Sequence, residues 1–144
     1  MKIILLSEDS IRLEPEPGPM TIEASSADQL YSPFHMLASG LAFCTFSILH
    51  SWAGTVKLDA DDLVIEVRWS FAEEPHRVGT LDVTLEWPGL PPARRGVAER
   101  VAALCPIHGT LQHPPAITIA VGQGQAALEA AGVGALDATP EREA

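Results

Sequence analysis

The stretch LASGLAFCTFSILHSW, residues 37–52, is apolar on almost every side of a helical wheel, and a helix of that kind must be covered on every side. A chain of 144 residues makes one ordinary domain, which is short of material to enclose such a helix alone. A partner subunit would complete the burial. The wider apolar run from Phe34 to Trp52 raises the idea of a membrane span, but Ser39, Thr45, Ser47, His50 and Ser51 interrupt it, and it barely reaches the roughly 20 residues that a bilayer requires. A core helix inside protein is therefore the expectation, and a membrane partner is not.

Charge narrows the partners further. With 19 acidic against 9 basic side chains the formal net charge is -10, so long-range attraction to nucleic-acid phosphates or anionic headgroups is disfavoured. MKIILLSED opens with a short apolar run and then acids, too short for a signal peptide. The expected compartment is the cytosol. There, two cysteines, Cys44 and Cys105, are more often thiols, metal ligands or catalytic groups than a permanent bridge.

The rest of the chain is read from its periodicity. KIILL, SIRLEP and MTIEA have the character of short strands, with EPEPGPM as a loop between the last two, so residues 1–30 are expected as a small antiparallel meander. Ser32 then serves as N-cap and Pro33 as first helical residue, starting a helix over 33–53 that Gly54 ends in a left-handed cap. Residues 62–71 and 77–87 alternate as a hairpin, with Val64, Glu66 and Arg68 opposed to Ile65, Val67 and Trp69. RRGVAERVAALC carries apolar residues at helical spacing and places Cys105 at a helix end, with Pro106 as a stop. PPAITIAV is expected as one more strand, and residues 122–144 as an Ala- and Gly-rich tail with one short helix. Strands grouped apart from helices give an α+β class, with a single domain over 1–121.

For the cysteines, two readings stand side by side. A free cysteine is commonly a small buried hydrophobe, and Leu37, Gly40 and Ile48 share the helix face of Cys44, which suits plain packing and a narrow thiol pocket equally. Cys105-x-x-His108 is half of a zinc motif, but no second pair of ligands at metal spacing accompanies it. No metal and no cofactor is expected. AVGQGQAA lacks the later glycine and the βαβ setting of a phosphate loop, and no G-x-S-x-G elbow is present.

The helix opening SPFHMLASGLAFC, the hairpin, and then CPIHGTL resemble the OsmC/Ohr family. That family joins a helix of the type N-P-x-x-L-(L/F)-A-(A/S) and a cysteine to a later C-P-(V/I)-x-x-T-L. Pro33, Leu37, Ala38, Cys44, Cys105, Pro106, Thr110 and Leu111 stand at motif positions, and the likeness covers about residues 30–121. It implies an intertwined homodimer with antiparallel sheets around a long buried central helix. It also implies thiol-dependent reduction of organic hydroperoxides: Cys44 as the peroxidatic thiol, Cys105 as the resolving one, and an external dithiol that resets the pair. Peroxidase members carry a carboxylate ten residues before the first cysteine, paired with an N-terminal arginine; here that position is Phe34, and Arg12 is the candidate arginine. The departure motivates the other reading, a catalytically degenerate member that binds a small apolar molecule or acts only as a structural dimer.

Overall fold

The computed structural model describes residues 1–121. Five strands, β1 (Lys2–Ser7), β2 (Ser10–Glu14), β3 (Thr21–Ala24), β4 (Val64–Glu73) and β5 (His76–Glu86), form one sheet in the order β3-β1-β2-β4-β5. Three helices accompany it: α1 (Pro33–Thr55), α2 (Arg95–Ala102), entered through a 3-10 turn at Pro92–Arg94, and α3 (Pro106–Gln112). The class is α+β, as the sequence pattern leads one to expect. One compact unit spans Met1–His113, and a second begins at Pro114.

The sheet is built from alternation. On β2 and β4, Ile11, Leu13, Ile65, Val67 and Trp69 are buried and join one core with Ala38, Ala42, Phe46 and Leu49 of α1. The intervening Arg12, Glu66 and Arg68 project from the opposite face, as a period of two requires. β4 and β5 are antiparallel from Val64↔Glu86 to Glu73↔His76, with one bulge at Ser70/Phe71. The hairpin turn is only Glu74 and Pro75, shorter than the expected loop.

The first three strands are not a meander. β1 and β2 pair antiparallel, but β3 lies parallel to β1 on its other edge, Lys2↔Thr21 to Leu5↔Ala24. The Pro-rich loop after β2 therefore carries the chain across the sheet instead of reversing it beside β2, whose free edge is taken by β4.

Helix α1 begins as its sequence dictates. Ser32 Oγ accepts the His35 N–H at 3.3 Å, and the Ser32 N–H donates to His35 Nδ1 at 3.1 Å. This is a capping box in which histidine takes the place of the usual Glu or Gln at the third position. Because Nδ1 accepts, the network assigns the proton to Nε2, which donates to the Ser7 carbonyl at 2.9 Å. His35 is buried, edge-on to Trp69 with ring centroids 5.1 Å apart, and so ties the helix start to the β1–β2 turn.

The other end differs from expectation. Gly54 lies within the helix, and the left-handed residue is Lys57 at φ 57. The Leu58 N–H reaches back to the Ala53 carbonyl at 2.9 Å, the six-to-one bond of a Schellman motif. Ala53 is in the core and Leu58 packs against that core, the kind of apolar cover that commonly accompanies such a motif. By length and composition α1 is also apolar enough to cross a membrane, yet nine of its residues are buried in this fold. Met36, Gly40, Phe43, Ser47, His50 and Gly54 form its exposed stripe.

Residues 114–121 form no strand. Alternating apolar residues make a strand only where a neighbour takes up their backbone groups, and two leading prolines cannot donate at all. The helix expected beyond residue 121 lies outside the described residues.

Candidate functional site

Cys44 sits on α1 one turn beyond Leu41 and Gly40 and is half-buried. Cys105 sits where α2 gives way to α3. Its N–H bonds to the Ala102 carbonyl at 3.1 Å, closing the α2 end, and its carbonyl accepts the Gly109 N–H at 3.0 Å, opening α3. With φ -56 and ψ 125 it is the N-cap of α3, and Pro106 is the first helical residue. The proline that reads as a stop signal is thus also a start signal, since a missing N–H costs nothing at that position. Cys105 is 1% exposed.

The two cysteines share one core. Cys44 packs against the core that contains Cys105, and Cys105 and the backbone of Ile107 are the groups that act on its thiol. Both thiols are free. Burial pushes the Cys44 thiol above its usual range, the Cys105 hydrogen bond adds to this, and the bond from Ile107 opposes it. The net direction is upward, so at neutral pH Cys44 is a thiol rather than a thiolate.

Ile107 is the contributor that sequence reasoning missed. It occupies the second position of α3, where a backbone N–H has no partner inside the helix. Here it acts on the Cys44 thiol, favouring the ionised form. Pro106 was the available signal, because a proline at the first helical position fixes which N–H comes next. Replacing Ile107 with proline removes that donor at a position where proline is tolerated; Ile107→Ala keeps it. At pH 8, iodoacetamide should alkylate Cys44 about tenfold more slowly in Ile107→Pro, as loss of a charge-assisted hydrogen bond predicts, while Ile107→Ala stays near wild type.

The structure does not bring Arg12 to the pair. Its neighbours Ile11 and Leu13 are in the core against α1, so Arg12 leaves the sheet from the other face. There it pairs with Glu86 at 2.8 Å, Glu14 at 3.2 Å and Glu66 at 3.7 Å. The Glu86 hydrogen bond, against the effect of burial, holds its proton more tightly than usual. Phe34 packs edge-on against Phe71 with centroids 4.8 Å apart, and His35 is committed to Ser32 and Ser7. Neither supplies charge to the thiol. Among the described residues no group of three or more His, Cys, Asp or Glu side chains could hold a metal ion.

Beside the pair runs an open groove of ≈ 1290 Å³ between α1, β5, α2 and α3, walled by Leu37, Leu41, Leu81, Leu85, Ala98 and His108 among others. Neither cysteine is in its wall, though Leu41 precedes Cys44 by one turn and His108 follows Cys105 by one. The inner face of β5 is left uncovered here, and Val83 is 37% exposed.

Comparison with known proteins follows this geometry. The family profile described as OsmC-like protein matches residues 26–120. A crystal structure from Psychrobacter arcticus 273-4, of a protein named for osmotic stress induction and detoxification response, superposes with a TM-score of 0.53 at 24% identity. The overlap covers 58% of this chain and 62% of that one, a likeness of fold. No curated protein matches the sequence.

Proposed function

The chain belongs to the OsmC-like protein family, and from that premise we propose that it detoxifies organic hydroperoxides through Cys44 and Cys105, as a homodimer in the cytosol. A role in stress response and detoxification is what the family supports. The observation that carries the finer reading is the packing of two free thiols from different elements in one apolar core, where Cys105 acts on the Cys44 thiol.

The chemistry balances without a bound cofactor. The Cys44 thiolate attacks the outer peroxide oxygen, breaking the O–O bond; it becomes a sulfenic acid, and an alcohol leaves. The Cys105 thiol then attacks the sulfenic sulfur, forming the disulfide and releasing water. An external dithiol restores both thiols by exchange. With the Cys44 thiol shifted upward, only its minor thiolate form reacts, so turnover should climb about tenfold per unit between pH 7 and pH 9.

One arrangement favours a second reading. Phe34 stands where peroxidase members hold a carboxylate, and Arg12 is bound to carboxylates across the sheet. A degenerate member would retain the groove for a small apolar molecule and leave the thiols idle. Thiol counting with intact mass, before and after one equivalent of cumene hydroperoxide, separates the two. Loss of two thiols and two hydrogens supports the peroxidase, and two unreactive thiols reject it. In either case a second copy is expected to cover the inner face of β5 and the stripe bearing Met36 and Phe43, 62% and 43% exposed; light scattering at the mass of one chain would reject the dimer.

A further inference from the structure

The groove beside the cysteines holds a hydroxyl that the fold does not use. Leu37, Leu41 and Thr45 follow one another at four-residue spacing, so they share one face of α1, and all three wall the groove. Thr45 is only 3% exposed. In the same helix Ser39 and Ser47 turn their hydroxyls back to the carbonyl four residues earlier, at 2.7 and 2.8 Å, and Thr110 does so in α3 at 2.8 Å. Among the described residues the Thr45 hydroxyl has no such partner, and Thr45 faces the groove instead. An unpaired hydroxyl in an apolar wall carries a desolvation cost that the oxygen of a ligand removes.

The rest of the wall sets the charge of the occupant. Leu81, Leu85 and Ala98 continue the apolar lining, and His108 and Gln112 of α3 complete its polar part. On α2 the groove meets Arg95 and Glu99, one of each sign and one turn apart, so their charges offset each other. Glu86 borders the groove from β5, but its carboxylate is bound to Arg12 at 2.8 Å. The net charge of -10 repels carboxylates, and apolar walls penalise an ammonium group. We propose that the groove binds an uncharged molecule with an apolar body and one hydroxyl, which exchanges a hydrogen bond with Thr45 Oγ1. An alcohol suits that partner because each hydroxyl can both donate and accept.

The proposal rests on the groove of the second functional reading and not on the state of the thiols. The test uses the full, reduced chain and three probes of equal chain length: 1-octanol, octanoate and octylammonium. Amide shifts of Leu41, Thr45 and Leu81 in isotope-edited NMR should follow 1-octanol to saturation, and the two charged probes should bind about tenfold more weakly or worse. Thr45→Val keeps the shape of the side chain and removes the hydroxyl. It should bind 1-octanol about tenfold more weakly with an undiminished urea midpoint, because no hydrogen bond of the fold is lost. Equal binding of 1-octanol by Thr45→Val overturns the proposal while leaving the groove of the second reading in place, and so does tighter binding of either charged probe. Binding of none of the three, as when a second copy fills the groove, overturns both. Consumption of cumene hydroperoxide by the same preparation reports on the thiols separately.

Discussion

Cys105→Ser should stop turnover of organic hydroperoxide with a dithiol while sparing the first oxidation. On the proposed mechanism the sulfenic acid on wild-type Cys44 would be met by the Cys105 thiol, and the pair would close to a disulfide. In the variant the serine hydroxyl cannot take that role, and the sulfenic acid persists until it is trapped or over-oxidised. The expected signature is one equivalent of peroxide consumed, a mass increase of one oxygen, and capture by dimedone. Serine is close to cysteine in size, so the 1% exposed site at the head of α3 should remain folded; an unchanged circular dichroism spectrum checks this. Sustained turnover in Cys105→Ser would mean that the second cysteine has no resolving role.

The second large effect is on stability. His35→Ala deletes a buried ring that fills space against Trp69 and leaves the Ser32 N–H and the Ser7 carbonyl without their partner. A cavity together with half-buried polar groups left unpaired should cost about 3 kcal/mol, read as a lowered urea midpoint at unchanged slope. His35→Gln is the informative companion. Glutamine is an ordinary third-position residue of a capping box, so it can retain the bond to Ser32 while losing the one to Ser7. It should fall between wild type and alanine. Equal loss in both variants would place the whole effect in the link to the β1–β2 turn.

The two predictions draw on parts of the molecule that differ in how far they could be read from sequence. Ser32 and Pro33 mark the start of α1 because capping is local chemistry, and the hairpin of β4 and β5 follows from strict alternation. The parallel placement of β3 was not legible, since it depends on which sheet edge is vacant. α3 was hidden by Gly109 and by a proline that serves two helices. The left-handed residue at Lys57 was hidden by Gly54, the better candidate on propensity alone; the packing of Leu58 on the core overrides it. At the site, the family resemblance singled out the cysteines, but the sheet face that Arg12 occupies became visible only in the fold. Residues 114–121 alternate like a strand and are not one, because alternation describes side chains and says nothing about a backbone partner.

The position of the two cysteines has a topological consequence. Cys44 lies on α1 and Cys105 at the head of α3, so a bond between them closes a ring containing the whole β4–β5 hairpin and α2. Closing a loop of that size removes enough freedom from the unfolded chain to stabilise the fold by about 4 kcal/mol in the chain-entropy account. Folding and oxidation therefore favour each other: the oxidised protein should outlast the reduced one in denaturant, and the intact fold should hold its disulfide against reductants that would open it in the unfolded chain. On the proposed dithiol chemistry, oxidative stress would leave the protein harder to unfold.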